Sequence, residues 1–175
     1  FTPMVLMETG VDVPSIPLVA APDEEVGALV ADTVFGEGHQ LVALAAGNSQ
    51  RLSVAARQRG FLKRAGELSM TVIELEKPDM LNWAQFLASQ LALENPEALG
   101  VLENDVLGIA ADAAPAAMVD VKLYGVGSSE SAVHSLDTGL VQQLCYINEY
   151  AIGYMATMQL AGQMNLHPKA READI

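Results

Sequence analysis

Arg57 is one of only nine basic residues in a chain of 175. It lies in Ala55-Ala56-Arg57-Gln58-Arg59-Gly60-Phe61, one to two turns into a helix-patterned segment that follows a strand-patterned one. A guanidinium there can fork two hydrogen bonds onto vicinal hydroxyls or a carboxylate. An Arg on a solvated face is the alternative, and spacing alone leaves the two even. Gly125-Val126-Gly127-Ser128-Ser129 places small residues between a strand and a helix, where backbone amides can cradle a phosphate. However, Glu130 stands where a dinucleotide fingerprint has its third glycine, and no phosphate-loop Lys follows. A plain turn with a Ser cap is preferred. His39, His134 and His167 share no ligand spacing, so no metal is expected. Ser49, Ser53, Ser128 and Ser129 fall in loop-like stretches, and none sits in a Gly-x-Ser-x-Gly elbow. Glu74 and Glu76 share a strand face and read as solvated charge rather than an acid–base pair. Cys145, the single cysteine, permits neither an internal disulfide nor a cysteine zinc cage, and its apolar neighbours suggest a buried, inert thiol.

These residues need a scaffold, and the apolar pattern supplies an alternating one. Strands are expected at Pro3–Glu8, Leu18–Ala21, Gln40–Ala46, Ser69–Leu75, Ala98–Leu102, Val119–Val126 and Leu140–Ile147. Thr9–Pro17 reads as a loop. Helices are expected from Pro22-Asp23-Glu24-Glu25 to Gly36, over 52–65 with Gly66 as C-cap, and after Asp79 as N-cap to Asn95-Pro96. Three more are expected over 105–114, 130–136 and 150–161, followed by a loose polar tail from Gln163. Gln40–Ala46 is too apolar for a one-sided strand and reads as a strand covered on both faces. Alternation of strand and helix implies parallel strands with right-handed crossovers, an α/β doubly wound sheet in three layers. Ligands then belong beyond the C-terminal strand ends. Those ends carry Asp23, Asn48 to Arg57, Glu76 to Met80, Glu103 to Asp105, Gly127 to Ser129 and Ile147 to Glu149.

Composition narrows the classes further. The chain is 51% hydrophobic, with 22 acidic residues against nine basic ones and a formal charge of −13. Such apolar content argues against disorder. The acidic balance argues against contact with nucleic acid or anionic lipid by this segment. No apolar run reaches the ~18–20 residues of a membrane span. The sequence begins at Phe1 rather than Met, which leaves export open.

The order of the pieces resembles the ribose- and galactose-type periplasmic solute-binding proteins and the related effector domains of lactose-repressor-type regulators. The resemblance runs through Pro3-Met-Val-Leu-Met7, Asp23 to Val34 and Gly38-His39-Gln40-Leu41-Val42-Ala43-Leu44. It continues through Ser53-Val-Ala-Ala-Arg57-Gln-Arg-Gly60-Phe61, Val101-Leu-Glu-Asn104-Asp105 and Lys122-Leu-Tyr-Gly125-Val126-Gly127. It ends at Gly139-Leu140 to Asn148-Glu149-Tyr150-Ala-Ile-Gly153-Tyr154. It implies a type I binding-protein fold, Arg57 gripping a ligand and Asn104 binding it. With residues from the other strand ends added to these two, the expected ligand-binding set is Arg57, Asn104, Asn48, Ser53, Asp79, Gly127, Ser128 and Asn148. The family's aspartate falls on Gly127, its last-crossing glutamine on Ile147, and a sugar-stacking aromatic near Asp79 or Met80. Ser128, Ser129 or Asn148 are then the substitutes.

The resemblance also implies a piece of a two-lobe protein. Residues 1–21 stand for the last strand of a first lobe and its hinge entry. Residues 22–146 stand for a complete second lobe, and 147–175 for a return crossing, a first-lobe helix and the tail. The expected function is capture of a small polar, sugar-like ligand by hinge closure, without enzymatic activity or cofactor. Expected partners are the ligand and a membrane permease of the ABC type or a membrane sensor, with a homodimer possible. Expected localisation is periplasmic or extracellular, with a lipid anchor possible. The alternative is the effector domain of a lactose-repressor-type transcription regulator in the cytoplasm. A doubly wound enzyme using the Gly125 to Ser129 loop is a third, weaker reading.

Overall fold

The computed structural model describes residues 2–7 and 15–164. The elements in chain order are β1 (Leu6–Met7), β2 (Leu18–Val19), α1 (Asp23–Gly36), β3 (Leu41–Ala45), α2 (Leu52–Glu67), β4 (Thr71–Glu74) and α3 (Trp83–Glu94). They continue with β5 (Ala98–Val101), α4 (Asn104–Ala116), β6 (Lys122–Val126), α5 (Glu130–Asp137), β7 (Val141–Cys145) and α6 (Glu149–Gln163). Two units form: Pro22–Ile147, and Phe1–Ala21 together with Asn148–Ile175.

In Pro22–Ile147 five parallel strands lie in the order β4-β3-β5-β6-β7. The register pairs Val42 with both Val72 and Ala98, and Leu99 with Leu123. Successive side chains of a strand point to opposite faces, and here each face has its own core. Ala43, Ala45, Leu99, Val101, Leu123 and Val141 join Phe86, Leu87 and Leu91 of α3, Val106 and Leu107 of α4, and Ala132 of α5. Val42, Leu44, Ala98, Tyr124 and Val126 join Val30 and Val34 of α1, and Val54 and Phe61 of α2. The result is a three-layer α/β sandwich, and it accounts for the apolar run at β3, whose residues 42–45 are all buried. Each fully buried Leu or Phe contributes about 1.5–3 kcal/mol. Phe61 has no exposed surface and fits because Gly100 beneath it has no side chain; a Cβ there would stand 3.2 Å from its ring.

Where helices begin and end follows local chemistry. α1 starts behind Pro22 with Asp23, Glu24 and Glu25 in its first turn, complementing the partial positive charge there. α5 is capped by Ser129, whose Oγ accepts from the Ala132 N–H at 3.2 Å. Two expected caps fall elsewhere. Gly66 lies inside α2, which runs on to Glu67, and the left-handed residue past its end is Ser69, at φ 58°. Asp79 does not cap α3; Asn82 does, accepting from the Gln85 N–H at 2.9 Å. Asn95 closes α3 in the left-handed conformation, where Asn is tolerated. β1 begins at Leu6 rather than at the expected Pro3, and Glu8, where that strand was expected to end, lies outside the described residues.

In the smaller unit β1 and β2 pair in parallel, Leu6 with Leu18, and α6 packs on both. Gln163 fastens that helix by accepting from the Met4 N–H at 3.0 Å and donating to the Met4 carbonyl at 2.8 Å. Gln163 is thus the last helical residue, not the start of a loose tail, while 165–175 lies outside the described residues. So do His167 and much of the loop expected over Thr9–Pro17. Ile152 and Ala156 are the buried residues of α6, whereas Tyr150, Tyr154 and Met155 are exposed.

Candidate functional site

In a doubly wound sheet a crevice opens at the carboxyl ends of the strands where the strand order reverses. With the order β4-β3-β5, that point lies between β3 and β5. The chain leaves β3 into α2 on one face and enters β5 from α3 on the other. Glu103, just past β5, spans the gap. Its Oε2 accepts from the Asn48 backbone N–H at 2.7 Å, and its Oε1 accepts from Arg51 Nη1 at 2.6 Å. Glu103 is only 8% exposed, so both carboxylate oxygens depend on these donors. Gly47, at φ +93°, carries the turn over the carboxylate; a Cβ there would collide with the Glu103 side chain.

Beside this pair lies an open groove of about 650 Å³. The loops after β3 and β4 supply Asn48, Gln50, Glu76, Lys77 and Asp79, and the first residue of α3 supplies Trp83. The Trp83 ring meets Phe86 edge-on at 5.9 Å between centroids, which fixes the indole at the groove wall. Lys77 is turned back onto its own loop: its Nζ donates to the carbonyls of Leu81 at 2.8 Å and Pro78 at 3.1 Å, and lies 5.9 Å from the Trp83 ring centroid. An aromatic wall with convergent polar groups suits a small polar ligand that has an apolar face.

Arg57 is neither exposed nor free. Its Nε donates to Asp23 Oδ1 at 2.8 Å and its Nη1 to the Leu102 carbonyl at 3.0 Å. The two side chains of the ion pair are 13% and 10% exposed. Arg57 therefore ties the start of α1 to the end of β5, a role that matches neither the ligand reading nor the solvated-face reading in simple form. Two hydrogen bonds out of five N–H donors still leave donors for a ligand.

Asn104 is similarly engaged. Its Oδ1 accepts from the N–H groups of Ser128 at 2.9 Å and Ser129 at 3.1 Å. The Gly127 N–H donates to the Cys145 carbonyl at 3.1 Å. The amides of the Gly125 to Ser129 turn are thus spent inside the protein, which removes the phosphate-cradle reading. Gly127 is required by closeness rather than by φ, since a Cβ there would stand 2.9 Å from Asn104 Oδ1.

The suggested residues thus fall into groups along the strand ends. Asn48 and Asp79 line the groove, Arg57 joins Asp23, and Asn104 joins Gly127 and Ser128. Ser53 is half-buried in the first turn of α2. Asn148 belongs to the smaller unit, where it caps α6 by accepting from the Ala151 N–H at 3.0 Å. Glu103 stood among the strand-end residues of the sequence reading but without a role, which a charge directly after a fully apolar strand could have suggested. Trp83 escaped that reading, and could have been found as the single Trp just beyond a strand end. Cys145 is half-buried, and burial raises its thiol pKa against the opposing pull of Arg57. It stays a thiol, as an unreactive cysteine does. His39 is half-buried too, its Nε2 3.0 Å from the Tyr124 hydroxyl. Among the described residues no three His, Cys, Asp or Glu side chains converge as a metal set, and no helix is long and apolar enough to cross a membrane.

No protein-family model matches the sequence, and no curated protein matches it. Solved structures do match it. A sugar ABC transport system substrate-binding protein from Bordetella parapertussis superimposes with a TM-score of 0.81 at 15% identity, over 93% of this chain and 54% of that one. GanP, a glucose-galactose binding protein from Geobacillus stearothermophilus, gives 0.80 at 16% identity, over 93% and 61%. A periplasmic binding protein/LacI transcriptional regulator from Alkaliphilus metalliredigens, complexed with D-xylulofuranose, gives 0.74 at 16% identity, over 93% and 62%. This chain therefore spans between about half and three fifths of the length of the proteins it resembles. Parallel strand order, helices on both faces and these superpositions together show that the chain has the fold of the type I periplasmic binding proteins.

Proposed function

We propose that this chain is the ligand-binding part of a solute-binding protein that captures a small, polar, sugar-like molecule at the C-terminal strand ends of Pro22–Ile147. The observation that carries this reading is the groove beside the β3/β5 switch point, with Trp83 on one wall and Asn48, Gln50 and Asp79 presenting polar groups. A pyranose offers an apolar ring face and a rim of hydroxyls, and such a wall accepts both. Arg57, Asn104, Ser53, Gly127 and Ser128 lie along the same strand ends, and Asn148 begins the helix of the other unit; all are proposed ligand contacts. The proteins of this fold named above are described as sugar-binding, which supports the ligand class. In the full reading, residues 22–146 act as one lobe, and hinge closure over the ligand presents it to an ABC-type permease or a membrane sensor outside the cytoplasm. No step of this function calls for catalysis.

Trp83 is the single Trp in the chain, so its fluorescence reports on the groove without labelling. Titration with glucose, galactose, xylose and inositol is expected to change that emission saturably for at least one of them, at millimolar concentration or below. Absence of any saturable change, with no shift in melting temperature, overturns the reading. The Alkaliphilus protein's description pairs periplasmic binding with transcription regulation, so an effector domain of a regulator is the second reading. A signal peptide at the head of the gene product supports the first, and a basic helix-turn-helix there supports the second.

A further inference from the structure

The charges in the groove are unequally committed. Of the residues lining it, Lys77 is the one basic side chain. Arg51 is bonded to Glu103 at 2.6 Å, and the Lys77 ammonium is bonded to the carbonyls of Pro78 and Leu81. Arg57, the other cation at these strand ends, is paired with Asp23. Two carboxylates of the groove, Glu76 and Asp79, have no hydrogen bond or ion pair among the described residues, and both are exposed. The third, Glu103, is matched by Arg51 and the Asn48 amide. What the groove offers a visitor is therefore two unpaired carboxylates against the single Lys77 ammonium, and an aromatic ring.

The Trp83 ring does not itself call for a second cation. Its electron-rich face attracts a cation within about 6 Å of the centroid, and the Lys77 ammonium already stands at 5.9 Å. A ligand's positive charge therefore belongs at the carboxylates, and its apolar face at the indole.

Resting on the sugar-like reading above and extending it, the geometry points to an amine-bearing ligand: a polyol or sugar body carrying a protonated primary amine. The body lies on Trp83, and the ammonium faces Glu76 and Asp79. An anionic sugar acid meets the same two carboxylates and is excluded by like charge.

The test uses the 175-residue chain and Trp83 emission at pH 6.5, where the amine of D-glucosamine is protonated. Probes are D-glucosamine, D-glucose, N-acetyl-D-glucosamine and D-glucuronate. At about 20 mM salt, glucosamine is expected to half-saturate at roughly tenfold lower concentration than glucose, with glucuronate weakest. That advantage falls to about threefold or less at 0.5 M salt, because exposed charges are screened over a few ångströms there. In the doubly substituted Glu76→Gln/Asp79→Asn chain, checked for folding by circular dichroism, the ratio of glucose to glucosamine half-saturation falls toward one. If glucose or N-acetylglucosamine binds as well as glucosamine, the amine preference is overturned and the sugar-binding reading stands. If glucuronate binds best, the charge argument is overturned in sign. If none of the four perturbs Trp83, the groove is not the site and both readings fall together.

Discussion

The Arg57–Asp23 pair decides how any experiment on Arg57 is read. Both side chains are largely removed from water, and the guanidinium also holds the Leu102 carbonyl. Removing one member of a buried pair leaves the other charged and unsolvated, at a cost of about 3–5 kcal/mol. Arg57→Ala is therefore expected to lower the urea midpoint substantially, before any ligand is added. Asp23→Ala/Arg57→Ala is expected to recover part of that loss, since no orphan charge remains. If Arg57 also touches ligand, both variants bind more weakly than the parent chain, although the double variant is the more stable of the two. Equal stability of the single and double variants sinks the account of the pair.

A second carboxylate sets the acid limit. Glu97 Oε2 accepts from the N–H groups of Gln40 at 2.6 Å and Leu41 at 3.2 Å, tying β5 to the start of β3. These bonds favour the charged form and hold its pKa below the usual carboxylate value. A group whose pKa is depressed by folding stabilises the protein above its unfolded pKa. That contribution is lost as pH falls through the folded value. Urea midpoints measured from about pH 5 down to pH 3 are expected to fall less steeply for Glu97→Gln than for the parent chain. Identical slopes would remove Glu97 from the acid response.

At the scale of elements, the closest approach is between α1 and α2. A Cβ on Gly27 would strike the Arg57 carbonyl, and one on Gly60 the Glu24 carbonyl. The two helices cross backbone to backbone, and this closeness brings Asp23 within reach of Arg57. Alanine is the better helix former by about 1 kcal/mol, yet overpacking costs about 1–3 kcal/mol. Gly60→Ala is thus expected to lower the melting temperature, and an unchanged or raised value would mean the crossing relaxes freely. Neither glycine was legible as a contact, because a helix sequence does not say which neighbour lies against it. What was legible is local. The apolar run at β3 announced a strand buried on both faces, and Ser129 announced its cap. The alternation of elements announced the parallel sheet. What was not legible is distant in sequence: Glu103 reaches Asn48 across 55 positions and Arg57 reaches Asp23 across 34. Along α6, likewise, the spacing of apolar residues does not say which are covered: Ile152 and Ala156 are buried, whereas Met155 is 58% exposed.

At the scale of the whole molecule, the stabilising burial is unevenly shared. Every residue of both core clusters lies between Val26 and Ile147, inside the unit Pro22–Ile147. Among its described residues, the smaller unit contributes two short strands, one helix and the buried side chains of Ile152 and Ala156. Burial of apolar surface is the dominant favourable term in folding, so stability should reside almost entirely in the larger unit. We predict that residues 22–147, produced alone, fold and unfold cooperatively in urea as followed by Trp83 emission. Their midpoint is expected within about 0.5 M of the 175-residue chain's, roughly 1 kcal/mol at ordinary denaturant sensitivity. The Glu103 bridge, the Arg57–Asp23 pair and the groove all lie inside this segment, so ligand-induced changes in Trp83 emission should survive as well. A broad, non-cooperative transition accompanied by dye-binding apolar surface would show instead that the larger unit depends on the smaller for its fold.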